Sequence, residues 1–196
     1  MCSVARDCCQ NVDCTGKTLE SFVTNWYAKA AEELAKTPDQ LQVDGKFILK
    51  EAVKSYNKAI ELKSDYVEPY NNLGNMLNQL GRYEEAITIY TKLIELKPEH
   101  VAAHNNLSLV LKEIGRYEEA IASASKAIEL NPNYEKAYHT LGSTLTALGE
   151  YEKAISSFNQ IIELNPNDIE AYNNLGITLN RIGKYDEAID NYHKAI

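Results

Sequence analysis

EKAYHTLGSTLTALGEYEKAISSFNQIIELNPND, residues 135–168, reads as two amphipathic helices joined by a tight turn. Tyr138, Leu141 and Leu145 recur at steps of three and four residues, and so do Ala154, Phe158, Ile161 and Ile162, which puts each set on one helical face. Gly149 marks the end of the first helix, because glycine enters the left-handed C-terminal cap without strain. Asn165-Pro166-Asn167-Asp168 stops the second helix and is expected to cap the next, as Asn131-Pro132-Asn133 does one step earlier. Shifted by 34 residues, the stretch finds itself again. Ala86, Ala120, Ala154 and Ala188 coincide, as do Gly81, Gly115, Gly149 and Gly183, then Tyr83, Tyr117, Tyr151 and Tyr185. Leu73, Leu107, Leu141 and Leu175 follow, with Pro98, Pro132 and Pro166 closing each unit. An array with this period buries its apolar faces between neighbouring units rather than in one globular centre.

These residues resemble the tetratricopeptide repeat, whose pattern asks for an aromatic, Leu-Gly, an alanine, a second aromatic and a closing proline. The resemblance implies an all-α, right-handed α-solenoid of helix-turn-helix repeats. Units are expected at 67–100, 101–134, 135–168 and, truncated, 169–196, after a divergent first repeat at 18–66 and a cysteine-bearing tail at 1–17. Three positions depart from the pattern. His104 stands where Tyr70, Tyr138 and Tyr172 stand, Ser108 replaces the glycine, and Ala124 replaces the second aromatic.

Cys2, Cys8, Cys9 and Cys14 lie in a polar stretch without helical periodicity and without the CxxC knuckle that zinc sites use, so a flexible reduced tail is expected and no metal or cofactor. Phe22, Trp26, Tyr27, Ala30, Ala31 and Leu34 predict a helix within 18–36. A second helix, 47–62, enters the array's register through Ala52, Tyr56 and Ala59, leaving a long loop around Thr37, Pro38, Asp39 and Gly45. Ser64 takes the place of the closing proline.

Subtracting the packing residues leaves the face available for function. In the resembling family the first helices line the inner, concave surface, and here the residues flanking the packing stripe are Asn71, Asn72, Asn75, Asn78, Asn105, Asn106, His139, Thr140, Asn173, Asn174 and Asn180. A carboxamide both donates and accepts, as a peptide bond does, so a row of asparagines suits an extended polypeptide held by its backbone. Asn72, Asn106 and Asn174 sit mid-helix, where asparagine is a poor choice for the helix itself. The row resembles the asparagine ladder in the repeats of O-linked N-acetylglucosamine transferase, with Thr140 interrupting it. Asn75, Asn106 and Lys136 are also similar to positions of the carboxylate clamp of co-chaperones, although Asn71 and Thr140 stand where that pattern has basic residues. The peptide-binding residues expected are Asn71, Asn72, Asn75, Asn105, Asn106, Lys136, His139, Asn173 and Asn174.

Charge and motifs exclude other classes. With 28 acidic against 20 basic residues, interspersed, the net charge of −8 argues against nucleic acid. Glu68, Glu113 and Glu170 near the inner face balance Lys112, Lys136 and Arg181 there, so the excess acidity lies elsewhere. No apolar run approaches the ~20 residues of a membrane span, and a cytoplasmic setting is expected. His100, His104, His139 and His193 are scattered, no phosphate-cradling loop or nucleophile elbow occurs, and no catalysis is expected. Glu84-Glu85 and Glu118-Glu119 suit the positive ends of helix dipoles instead. The reading is a protein-interaction adaptor or scaffold. Its alternatives are a substrate-presenting module of a larger enzyme, such as a glycosyltransferase, and a carboxylate-clamp binder. The array stops inside a unit at Ile196, which suggests a leading module of something longer, and leaves Leu179, Ile182, Ala188, Ile189 and Tyr192 as an apolar end expected to pair with a second copy.

Overall fold

The computed structural model describes residues 45–196, with side chains from Lys50 onward. The expected cysteine tail, the helix within 18–36 and most of the long loop lie outside these residues; Gly45, expected in that loop, opens a helix. The described elements are all helical: α1 (Gly45–Leu62), α2 (Val67–Gln79), α3 (Tyr83–Leu96), α4 (Val101–Glu113), α5 (Tyr117–Leu130), α6 (Glu135–Leu148), α7 (Tyr151–Leu164), α8 (Ile169–Arg181) and α9 (Tyr185–Lys194). The architecture is an all-α solenoid.

Two compact units divide between Asn72 and Leu73, inside α2. In the N-terminal unit Ala52, Val53, Tyr56 and Ala59 are buried at helical spacing along α1. The Tyr70 hydroxyl donates to the Ser64 carbonyl at 2.8 Å, tying the start of α2 to the turn before it.

In the C-terminal unit consecutive helices pack as hairpins, α4 on α5, α6 on α7 and α8 on α9, and each hairpin packs on the next through α5 with α6 and α7 with α8. The first helices also meet one another, α4 with α6 and α6 with α8. The apolar interior passes through several units at once: Leu145, Ala154, Phe158, Ile161, Ala171, Leu175, Leu179 and Ala188 form one buried cluster. Burying an aromatic such as Phe158 contributes roughly 1.5–3 kcal/mol. The turns hold their shape through glycine. Gly149 has φ 88°, a left-handed backbone, and the amide of Glu150 returns to the Leu145 carbonyl at 2.9 Å; Gly81, Gly115 and Gly183 repeat the conformation.

The repeat's small residues mark where helices come closest. A methyl at Gly74 would stand 2.5 Å from the Tyr90 ring, at Gly142 2.7 Å from Phe158, and at Gly176 2.6 Å from Tyr192, so each glycine is the space into which an aromatic of the following helix fits. In the one unit where Ser108 replaces that glycine, Ala124 replaces the aromatic, and both are fully buried. The two departures are therefore one exchange. His104 likewise keeps the bond of the tyrosine it replaces: its Nε2 lies 2.8 Å from the Pro98 carbonyl, six residues back, as Tyr70 lies from Ser64.

Two expectations need correction. Asn133 does not cap α6, whose N-cap position is Tyr134 without a side-chain bond; instead Asn131 Oδ1 accepts from the Asn133 amide at 3.1 Å, and the asparagine shapes the turn. In the next unit Asp168 is the capping residue, its carboxylate accepting from the Ala171 amide at 2.7 Å, while Asn165 receives the Asn167 amide. The apolar end also differs from the sequence reading. Leu179 and Ala188 are buried inside their own hairpin, whereas Tyr185 is 63% and Ile189 52% exposed.

Candidate functional site

The residues expected to bind a partner lie mostly on the first helices of the C-terminal unit: the end of α2 from Leu73, then α4, α6 and α8. Side chains four residues apart project from the same side of each helix, and the packing stripe takes Leu73 and Leu77, Val110 and Leu111, Leu145, and Leu175 and Leu179 inward. What remains is rich in amides, interrupted by the exposed Leu148, Ile169 and Ile177.

Asn75 and Asn106 come together. Asn75 Oδ1 accepts from the Tyr90 hydroxyl at 2.6 Å and from Asn106 Nδ2 at 3.2 Å, so a phenol from α3 joins two amides from successive first helices. Burial raises the Tyr90 pKa well above that of an ordinary phenol, with an opposing pull from the adjacent Asn106 amide. Asn105 and Thr140 form a second pair across units, the Thr140 hydroxyl donating to Asn105 Oδ1 at 3.1 Å. At 5% exposed, Asn105 lies between the helices rather than on the open face. The amide expected to bind a partner there is occupied with fold-internal bonding.

His139 is also engaged. Its Nε2 lies 3.1 Å from Asp168 Oδ2, joining α6 to the residue that caps α8, and its buried Nδ1 has no protein partner. Burial alone would raise the Asp168 carboxyl, but the bonds from the Ala171 amide and His139 outweigh it and hold the carboxyl below its usual range. Lys136 and Asn173 are exposed, and Asn174 is half-buried. Among the described residues no side chain bonds the amides of Asn173 or Asn174. Asn71 and Asn72 belong to the N-terminal unit, where both are half-buried and already engaged by protein groups.

Pairings between side chains of different helices, 15 residues apart for Tyr90 with Asn75 and 29 for Asp168 with His139, leave no periodic signature, which is why neither Tyr90 nor Asp168 is foreseen as a neighbour of this face. The only hint for Tyr90 is that Phe158 serves at its register position in another unit.

Exposed ion pairs at the starts of the second helices account for much of the charge. Arg82 bonds Glu85 through both Nε and Nη2 at 2.6 Å, and Arg116 does the same to Glu119 at the same spacing. Lys153 with Glu150 and Lys184 with Glu187 repeat the pairing. These exposed pairs are screened by solvent and contribute little to stability. Among the described residues no cluster of histidine, cysteine and carboxylate is arranged to hold a metal ion, and no helix is long and apolar enough to cross a membrane.

The repeat geometry defines the class, and comparison with known proteins agrees. Tetratricopeptide repeat family models match residues 65–133, 101–167 and 133–196, and a further TPR repeat model matches 49–77. The chain belongs to the tetratricopeptide repeat family. Among solved structures it is similar to MamA, at 29% identity over 76% of this chain and 88% of that one, with a TM-score of 0.71. A MamA fragment from Desulfovibrio magneticus RS-1 shares the fold at 22% identity and a TM-score of 0.77, covering 88% of this chain and 93% of that one. YrrB, described as a TPR protein with an unusual peptide-binding site, is 24% identical with a TM-score of 0.69 and coverage of 91% of each chain. No curated protein sequence matches the chain.

Proposed function

We propose that the chain is a protein-interaction module, an adaptor or scaffold, that holds an extended polypeptide along the first-helix face of its C-terminal unit. The observation that carries this reading is the state of the amides. Asn174 stands mid-helix and half-buried, its carboxamide unbonded by any described side chain, where asparagine weakens the helix and alanine would serve better. Asn106, 68 residues earlier on the same register, joins Asn75 on that face. Peptide carbonyls and amides are the natural complement of such groups. YrrB, a protein of the same fold, is described as having a peptide-binding site, which supports the class of ligand.

The asparagine row is similar to the ladder of O-linked N-acetylglucosamine transferase repeats, shortened here because Thr140 is turned to Asn105. The module acts by binding and not by catalysis, and its setting is cytoplasmic. A peptide selected from a random displayed library on the full chain provides the probe. Replacing Asn106 and Asn174 together with alanine is expected to weaken its binding roughly tenfold, on the order of one hydrogen bond's worth, while the melting temperature stays equal or rises. Unchanged affinity would contradict the reading.

A further inference from the structure

We propose that Tyr90 is a positioning residue of this face: its phenol holds the Asn75 carboxamide with the N–H₂ side outward, making that point a dedicated hydrogen-bond donor for a peptide carbonyl. The inference rests on the peptide-binding reading above and adds a chemical polarity to one place within it.

Three observations carry it. The first is distance. At 2.6 Å the contact of Tyr90 with Asn75 is shorter than the usual range of an N–H···O bond and falls in that of O–H···O, so the carboxamide atom facing the phenol is the oxygen. The second is saturation. Asn75 Oδ1 accepts from Tyr90 and also from Asn106 Nδ2 at 3.2 Å, which uses both lone pairs and leaves the two N–H groups of this half-buried side chain with no described partner.

The third is an internal control. Phe158 occupies the Tyr90 position in another unit and fits against Gly142 as Tyr90 fits against Gly74, with the notional methyl 2.7 Å and 2.5 Å away respectively. Packing of the ring therefore does not require the hydroxyl, which is costly to bury unless it is bonded. The residues at the Asn75 register elsewhere are Leu109, Ser143 and Ile177, and those at the Tyr90 register are Ala124, Phe158 and Tyr192. Amide and phenol coincide only at Asn75 and Tyr90. The pair is a feature of this one place, not of the repeat.

A neutral carbonyl suits the donor better than a carboxylate, since Glu113 neutralises Lys112 at 3.6 Å and the exposed Lys136 and Arg181 lie two and three units further along the chain. The outcome at stake is a donor that cannot turn over to become an acceptor.

Two measurements test it. In the free protein, nitrogen relaxation of the Asn75 side-chain amide is expected to report a rigid group in the wild type and a mobile one in Tyr90→Phe, with the two melting curves close together. An equally mobile amide in both proteins overturns the positioning, whatever the face binds. The second uses the library-selected peptide, synthesised with a free and an amidated C-terminus. Tyr90→Phe is expected to weaken both forms several-fold, and Asn75→Asp, which keeps an oxygen toward Tyr90 and removes the outward donor, by roughly tenfold or more. Wild-type affinity in Asn75→Asp overturns the donor assignment, and loss confined to the free-acid peptide shows a carboxylate as the ligand and overturns the carbonyl. Failure of the Asn106 and Asn174 double variant to weaken binding, with Asn75→Asp still effective, would count against the wider face and not against this pair.

Discussion

Ser108 donates its hydroxyl to the carbonyl oxygen of Ala120 at 2.6 Å, across the contact between α4 and α5. A side chain that short reaches a neighbouring helix only where the two backbones lie close, and Ala120 and Ala124, both fully buried, leave room for it. The other hairpins solve the same contact with glycine on one helix and an aromatic on the other. Serine with alanine and glycine with an aromatic are thus two fillings of one kind of interface.

This exchange predicts energetic coupling. Ala124→Phe alone should overfill the contact and destabilise by roughly 1–3 kcal/mol. Adding Ser108→Gly should return part of that loss, giving an interaction energy of about 0.5–3 kcal/mol in a denaturation double-mutant cycle. Strictly additive effects would show that the two positions are independent.

Asp168 predicts the response to acid. Its carboxylate caps α8 and receives His139, and its pKa is held below the ordinary value, so its contribution is fully present above the unfolded carboxylate pKa of about 3.9 and is lost as pH falls through the depressed folded value. Asp168→Ala should cost about 0.5–2 kcal/mol at neutral pH through loss of the cap. Its stability should then vary less than the wild type's below about pH 4, measured by urea melts across the acid range. Parallel curves for the two proteins would contradict the assignment.

Tyr90 makes the opposite prediction at high pH. Its folded pKa is raised by burial, so the folded protein keeps the proton that the unfolded chain releases near pH 10. Stability from this source is complete below that value and declines as pH rises above it. Tyr90→Phe should therefore lose less stability than the wild type between neutral pH and about pH 11, by chemical denaturation in the alkaline range. An identical decline would place the sensitivity elsewhere.

Much of the fold was legible because it depends on residues whose role is local. Gly149 and Ala154 have counterparts in the other three of the last four units and Pro166 in two of them, and a period of 34 exposes them without knowledge of the packing. The candidate face was legible only as a set of positions. Asn105 and Asn106 are adjacent in the chain and alike in kind, yet one is buried under the Thr140 hydroxyl and the other reaches Asn75. That difference arises from which neighbouring helix each side chain meets. Leu179 and Ile189 make the same point for the apolar end: both are hydrophobic and both in the last unit, but the hairpin's own contact covers the first and leaves the second open.

A peptide bound as proposed lies along the end of α2 and across α4, α6 and α8. The most direct measurement is to map resonance shifts across the labelled full chain as the library-selected peptide is added, following the side-chain amides of Asn75, Asn106 and Asn174 separately from the backbone. The largest shifts are expected at these three amides and along the first helices beside them, with Glu85 and Glu119 on the second helices unmoved. Shifts confined to the second helices, or to Tyr185 and Ile189 at the apolar end, with the three amides unchanged at saturation, would contradict that placement.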